Sequence, residues 1–156
     1  WGLASGGLDA AVVLWKRSGR GRMARLQADT GEDSATSSGG PQLFNPPFVH
    51  SLAFLPGGHT LAAGLGDGTV ALLDGESGEQ KGRLRGGHGA AVAQVAHSPA
   101  GLVSAGNDLM IILWGEKEEK LRLAHHEKVN WMVWSEDTLF VAGLGNEIVA
   151  YAGLDR

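Results

Sequence analysis

The 156-residue chain is long enough for one folded domain with its own core. It contains no cysteine, which excludes disulfides, thiolate metal sites and cysteine nucleophiles and fits an intracellular protein of the cytoplasm or nucleus. The net charge of −4 argues against a general nucleic-acid-binding protein, which would carry a basic excess. No apolar run approaches the roughly 20 residues of a membrane span, so we expect no membrane partner.

The first predicted element is a pair of short strands joined by a tight turn, and this element recurs. An apolar run, a glycine-containing turn and a second apolar run follow one another in LASGGLDAAVVLW (3–15), LAAGLGDGTVALLD (61–74), GLVSAGNDLMIILW (101–114) and LFVAGLGNEIVAYA (139–152). The polar turn residues are Asp9, Asp67, Asp108 and Asn146, and the last two intervals are 41 and 38 residues. A period of about 40 residues is typical of propeller blades and solenoids.

A polar insertion lengthens the first interval. The run KRSGRGRMAR (16–25) holds five of the thirteen basic residues and predicts either an exposed turn with an edge strand or a patch for nucleic acid or nuclear targeting. Residues 28–47 follow, rich in Gly, Ser and Thr at their start, and we predict a disordered surface insertion with candidate phosphorylation sites.

Each later turn is preceded by an apolar strand and followed by a charged one. The segments 48–58, 87–101 and 125–137 are apolar at odd and even offsets, which predicts strands covered on both faces. His97 lies where its siblings carry aromatic residues, so we predict a core histidine. The charged segments 23–27, 79–86 and 118–124 predict strands at sheet edges, giving four strands per unit.

The third unit resembles a WD repeat, because it begins with Gly87-His88, has Ser98-Pro99 after the first strand and closes on Trp114. This resemblance implies an all-β WD-repeat β-propeller, of which the chain supplies about three and a half blades of a seven-bladed ring. The chain starts at Trp1 inside an apolar run, so we expect a partial sequence whose missing N-terminal blades close the ring. The implied division is a truncated blade with its outer strand (1–27), the insertion (28–47), two complete blades (48–86 and 87–124) and a three-stranded last blade (125–156).

The resemblance also implies a buried polar tetrad that links each histidine, serine, turn aspartate and tryptophan of a repeat. The third unit has all four members, at His88, Ser104, Asp108 and Trp114. The other units have only part of the tetrad: Ser5, Asp9 and Trp15 in the first; Asp67, with Ala63 and Leu73, in the second; His125 and Asn146, with Ala142 and Ala152, in the fourth.

We predict no catalytic, cofactor-binding or metal site. The stretches GLGDGT (64–69) and GLGNE (143–147) could cradle a phosphate, but a strand follows each one where a phosphate loop requires a helix. The sequence His125-His126-Glu127 could bind a metal, but adjacent histidines in a strand point to opposite faces and no third ligand has a useful spacing.

Propellers host many functions, so the fold does not select one. The resemblance implies a non-enzymatic protein–protein interaction scaffold without cofactor, and in some relatives a substrate receptor of a cullin–RING ubiquitin ligase. The alternative is a nucleic-acid-associated or nuclear factor that uses the run 16–25. Trp131 replaces the polar Ser51 and Gln94 of the other units and predicts either a partner-binding side chain, together with Lys128 and His126, or packing against the neighbouring blade.

Overall fold

The computed structural model describes residues 2–16, 18–19, 21–27, 46–99, 101–115 and 118–154. Fourteen β-strands occupy these ranges, which contain no helix and therefore no helix able to cross a membrane. Most of the predicted insertion, residues 28–45, lies outside the described residues.

The strands form four antiparallel sheets in which each strand pairs with its neighbour in sequence. Sheet I contains β1 (Leu3–Gly6), β2 (Ala11–Trp15) and β3 (Gly21–Arg25). Sheet II contains β4 (Val49–Phe54), β5 (Thr60–Leu65), β6 (Val70–Asp74) and β7 (Gln80–Leu84). Sheet III contains β8 (Val92–Ser98), β9 (Gly101–Gly106), β10 (Met110–Trp114) and β11 (Glu119–Ala124), and sheet IV contains β12 (Val129–Ser135), β13 (Thr138–Gly143) and β14 (Ile148–Ala152). The predicted all-β propeller architecture is confirmed, as an arc of blades that does not close into a ring.

Three apolar layers hold the arc together, one between each pair of successive sheets. Because strand side chains alternate between faces, the middle strands of sheets II and III each contribute to two layers. Ile111 of β10, for example, packs towards sheet IV, whereas Ile112 packs towards sheet II. Full burial of one such side chain stabilises the fold by about 1.5–3 kcal/mol, so the layers supply most of the stability.

The aspartate-containing turn has one geometry in sheets I, II and III, where it joins β1 to β2, β5 to β6 and β9 to β10. The aspartate side chain accepts a hydrogen bond from the backbone N–H two residues later, at 3.2 Å from Asp9 to Ala11, 3.1 Å from Asp67 to Thr69 and 3.2 Å from Asp108 to Met110. The residue after the aspartate has a left-handed φ, 58° at Ala10, 83° at Gly68 and 67° at Leu109. The carboxylate therefore stabilises a turn in which only sheet II uses glycine at the left-handed position.

A register shift recurs near the start of the innermost strand of sheets II, III and IV, just before Ser51, Gln94 and Trp131. Beyond this bulge, the Ser51 hydroxyl accepts a hydrogen bond from the Val95 N–H at 3.1 Å and donates one to Gln94 Oε1 at 3.4 Å. The side chain at this position of sheet II therefore reaches the next sheet of the arc.

Two burial predictions are wrong. His97 is exposed, although Val95 and Ser98 of the same strand β8 are buried. β12 is not covered on both faces, since Trp131 is 64 % exposed and Val133 is 50 % exposed. Those two side chains lie on the face of sheet IV that points away from sheet III.

Candidate functional site

A continuous hydrogen-bond chain crosses sheet III. His88 precedes β8, Ser104 lies in β9, Asp108 lies in the β9–β10 turn and Trp114 ends β10. His88 Nδ1 lies 3.0 Å from Asp108 Oδ1, and His88 Nε2 lies 2.8 Å from Ser104 Oγ. Trp114 Nε1 donates to the same Ser104 oxygen at 2.7 Å. The structure thus brings together all four residues of the predicted tetrad.

The hydrogen positions follow from the chemistry of the four groups. An ionised carboxylate can only accept, so His88 Nδ1–H donates to Asp108, and in this tautomer Nε2 accepts from the Ser104 hydroxyl. The Ser104 oxygen in turn accepts the indole N–H of Trp114. Every polar group of the tetrad is therefore satisfied, although Ser104 is 0 % exposed and Trp114 3 %.

The Asp108 carboxylate also binds the loop that carries His88, because it accepts a hydrogen bond from the Gly89 N–H at 2.8 Å. Burial raises the pKa of Asp108, but the hydrogen bonds from His88, Gly89 and Met110 outweigh burial and hold the pKa below its ordinary value. The tetrad stabilises the ionised carboxylate.

The order carboxylate, imidazole, hydroxyl is also the order of a serine hydrolase triad. A nucleophilic serine must meet its substrate, whereas Ser104 is fully buried and its oxygen already receives the Trp114 N–H. The burial and the fourth member make this arrangement a structural network.

Sheet I has the serine–tryptophan hydrogen bond of the tetrad. Trp15 Nε1 donates to the Ser5 hydroxyl at 2.8 Å, and Asp9 stabilises its own turn through Ala11. Trp15 is 40 % exposed, because its side of sheet I has no neighbouring sheet within the described residues.

Sheet II replaces the tetrad with an ion pair that the sequence did not predict. Asp67 Oδ2 lies 3.1 Å from Arg83 NH1, and both side chains are buried. Arg83 NH2 also donates to the Gln27 carbonyl at 2.6 Å, so the pair fixes the chain where the insertion begins. Asp67 binds the Thr69 N–H and hydroxyl, so its carboxylate takes a turn amide that a phosphate would need.

Sheet IV has a different register from the one predicted. The strand pairing places Val141, Gly145 and Tyr151 at the positions of Ser104, Asp108 and Trp114. Asn146, predicted as the tetrad member, is exposed one residue beyond the aspartate position, and Ala142 and Ala152 are likewise each one residue off. The misalignment arises because this turn has no aspartate to define its register.

A hydrogen bond between His125 and Tyr151 replaces the tetrad in sheet IV. His125 Nδ1 lies 2.7 Å from the Tyr151 hydroxyl, while His125 Nε2 is buried without a hydrogen-bond partner. Burial lowers the pKa of His125, and nearby His126 lowers it further, while Glu127 opposes both. Burial also raises the pKa of Tyr151. Both groups are therefore neutral at neutral pH.

In sheet IV the carboxylate comes from the loop before the first strand and not from the turn. Glu127, in the loop before β12, accepts a hydrogen bond from the Gly145 N–H at 2.6 Å. In sheet III the turn residue Asp108 binds a loop N–H, whereas in sheet IV a loop residue binds a turn N–H. Sequence alignment could not reveal this exchange, because Glu127 occupies the position of Ala90.

The prediction that His125 and His126 lie in one strand is wrong. β11 ends at Ala124, so the two histidines lie in a loop and not in a strand. Their ring centroids are 4.6 Å apart, and the rings do not point to opposite faces of a sheet.

The three predicted partner-binding residues lie in two places. His126 and Lys128 are exposed in the loop before β12, whereas Trp131 lies on the uncovered face of sheet IV. On this face Trp131 pairs with Ala142, and Ala142 pairs with Ile148. Trp131 therefore forms part of a wider apolar face.

Comparisons with known proteins agree with this architecture. Residues 43–74 match the family model "WD domain, G-beta repeat", which covers one repeat of the chain. The structure is similar to the crystal structure of the WD40 β-propeller domain of Doa1, with a TM-score of 0.70 and 18 % sequence identity. The match covers 97 % of this chain and 48 % of that one, so the chain spans about half the length of its structural neighbour. At this identity the likeness shows the fold alone.

Replacing Asp108 with alanine will lower the free energy of unfolding by about 1–3 kcal/mol, because His88, Gly89 and Met110 lose a shared acceptor. Urea denaturation of the full-length protein measures the loss. Asn107→Ala, an exposed change in the same turn, is the control and will cost less than about 0.5 kcal/mol. Equal losses in the two variants would show that the turn, and not the carboxylate, is responsible.

The lowered pKa of Asp108 predicts an acid-sensitive contribution to stability. The contribution is complete above the unfolded-state pKa of about 3.9 and is lost as the pH falls through the lower native value. The stability difference between wild type and Asp108→Asn will therefore be constant at neutral pH and shrink below about pH 4. Denaturant unfolding at a series of pH values tests this, and a difference unchanged by acid contradicts it.

Removing Arg83 will deprive the buried Asp67 carboxylate of this ion pair. Arg83→Ala will cost about 3 kcal/mol of unfolding free energy, measured by urea denaturation. Lys81→Ala on the same strand removes the solvent-exposed ion pair to Asp74 and will cost at most about 1 kcal/mol. A smaller effect for Arg83→Ala than for Lys81→Ala would rule out the ion pair as the replacement for the tetrad.

Proposed function

We propose that this chain forms part of a non-enzymatic protein–protein interaction scaffold of the WD40 propeller type. This proposal rests on the observation that Asp108, His88 and Ser104, which are ordered as in a hydrolase triad, form a buried structural network. The fold in which they lie generally mediates protein–protein interactions. Packed sheets with satisfied polar interiors present their loops on a rigid frame, which lowers the entropic cost of binding a partner.

The uncovered face of sheet IV supports the proposal that the complete protein contains further blades. Exposed large apolar side chains on it are Trp131, Val133, Phe140 and Ile148. The sheet III counterparts of Phe140 and Ile148 are Val103 and Ile111, which are buried against sheet IV. We propose that N-terminal blades outside this sequence cover the face and close a seven-bladed ring.

The position of Trp131 favours packing against such a blade over direct partner binding, because Ser51 at the same position of sheet II reaches the next sheet. Lys128 and His126, exposed in the loop before β12, then remain as the partner-contacting residues that we propose. Their charge and hydrogen-bonding capacity suit a polar or acidic segment of a partner protein.

A more specific resemblance is to the C-terminal half of WD repeat-containing protein 53. It is carried by SGGLDAAVVLW (5–15), QLFNPPFVHS (42–51), GNDLMIILW (106–114) and HHEKVNW (125–131). The role that we attach to it is an intracellular substrate receptor of a cullin–RING ubiquitin ligase. The Trp-Asp-x-Arg signature of such receptors does not follow the closing strands in WKRS (15–18), LDGE (73–76) or WGEK (114–117), so ligase docking would require residues outside this sequence.

Affinity purification of the full-length protein from cells, followed by partner identification, tests the scaffold proposal. We expect a specific protein partner, recovered at least fivefold less with Lys128→Glu and unchanged with Lys81→Glu, a lysine on the outer strand β7. Recovery of chaperones alone would overturn the proposal.

A second arm addresses the nucleic-acid alternative. Salt-dependent RNA or DNA binding that is lost when Arg17, Arg20 and Arg22 become alanine would instead support a nucleic-acid-associated factor. Among these, Arg22 donates to the Ser77 carbonyl at 3.4 Å, and Arg17 and Arg20 lie outside the described residues.

A further inference from the structure

Three consecutive side chains before β12 combine ligand atoms that metals prefer. His125, His126 and Glu127 each place one imidazole nitrogen or carboxylate oxygen so that the three atoms lie within 4.8 Å of one another. His126 Nε2 lies 3.7 Å from Glu127 Oε1. Two imidazoles and a carboxylate form a common ligand set for zinc and related ions.

His125 has one nitrogen available for a ligand. Its ring is 4 % exposed, its Nδ1 contacts the Tyr151 hydroxyl at 2.7 Å, and its buried Nε2 has no hydrogen-bond partner. An unpaired buried polar atom destabilises the fold, and coordination would offset that cost. In a histidine that binds a metal through one ring nitrogen, a neighbouring group commonly holds the other nitrogen, as Tyr151 holds His125 Nδ1.

Glu127 is held in place by the turn between β13 and β14. The Gly145 N–H binds Glu127 Oε2 at 2.6 Å, which leaves Oε1 on the side of His126. A Cβ at Gly143 would collide with the Glu127 side chain, so the absence of a side chain there makes room for the carboxylate.

We propose that His125, His126 and Glu127 form a binding site for a divalent transition-metal ion, with Zn²⁺ as the best match. Tetrahedral zinc with ligand distances near 2.0–2.2 Å requires ligand atoms about 3.5 Å apart, and the exposed His126 side chain can make the necessary movement. Two nitrogen ligands disfavour Ca²⁺ and Mg²⁺, which bind mainly oxygen.

Zinc binding by the full-length protein tests this site. After chelator treatment, Zn²⁺ titration followed by calorimetry and metal analysis will give one more bound ion in wild type than in His126→Ala or Glu127→Gln. His97→Ala, which removes an exposed histidine of sheet III, will bind as many ions as wild type. Tyr151→Phe will weaken the site about tenfold to a hundredfold, because Tyr151 positions the His125 ring.

Co²⁺ substitution supplies a readout that a merely structural role would not change, since tetrahedral Co²⁺ absorbs strongly in the visible region. We expect this absorption in wild type and His97→Ala but not in His126→Ala, whose exposed side chain can be removed without unfolding. Equal zinc stoichiometry in wild type and His126→Ala, or equal loss in His97→Ala, would overturn the proposal. Its failure would leave the scaffold proposal intact, because partner recovery is read out with Lys128→Glu.

Discussion

The carboxylate of Asp108, placed between the β9–β10 turn and the chain before β8, is the interaction on which the order of sheet III depends. In sheet III, Asp108 orders its own turn and binds both His88 and the Gly89 N–H. This one group therefore fixes the loop, the turn and, through His88, the middle of the sheet. The apolar layers supply more free energy, but they do not by themselves specify how the loop and turn meet.

Sheets II, III and IV place this carboxylate with different chemistry. Sheet III uses the full tetrad, sheet II pairs Asp67 with Arg83, and sheet IV uses Glu127 from the loop. In sheets III and IV the carboxylate accepts a hydrogen bond from a backbone N–H and so joins the turn to the loop before the first strand. The turn supplies the carboxylate in sheet III, and the loop supplies it in sheet IV. The variety explains how repeats with little sequence in common can have the same fold: the position of the negative charge is retained.

The strands and the tetrad of sheet III were predictable from the sequence, because both depend on local patterns. The alternating apolar runs and the Asp-containing turns indicated the strands, and Gly87-His88 with Trp114 indicated the tetrad of sheet III. The rest depends on tertiary contacts. Arg83 lies in an ordinary charged edge strand, and Tyr151 replaces a tryptophan only in the true register of sheet IV. His97 is exposed although Val95 and Ser98 of the same strand are buried.

The central claim is that the tetrad acts as one unit, which a double-mutant cycle between Asp108 and Ser104 tests most directly. These two residues bind opposite nitrogens of His88, so each one orders the imidazole for the other. The account predicts that the double variant Asp108→Ala, Ser104→Ala loses less unfolding free energy than the single variants combined, by about 1 kcal/mol. Additive losses would contradict it, because they would mean that the two hydrogen bonds stabilise the blade independently.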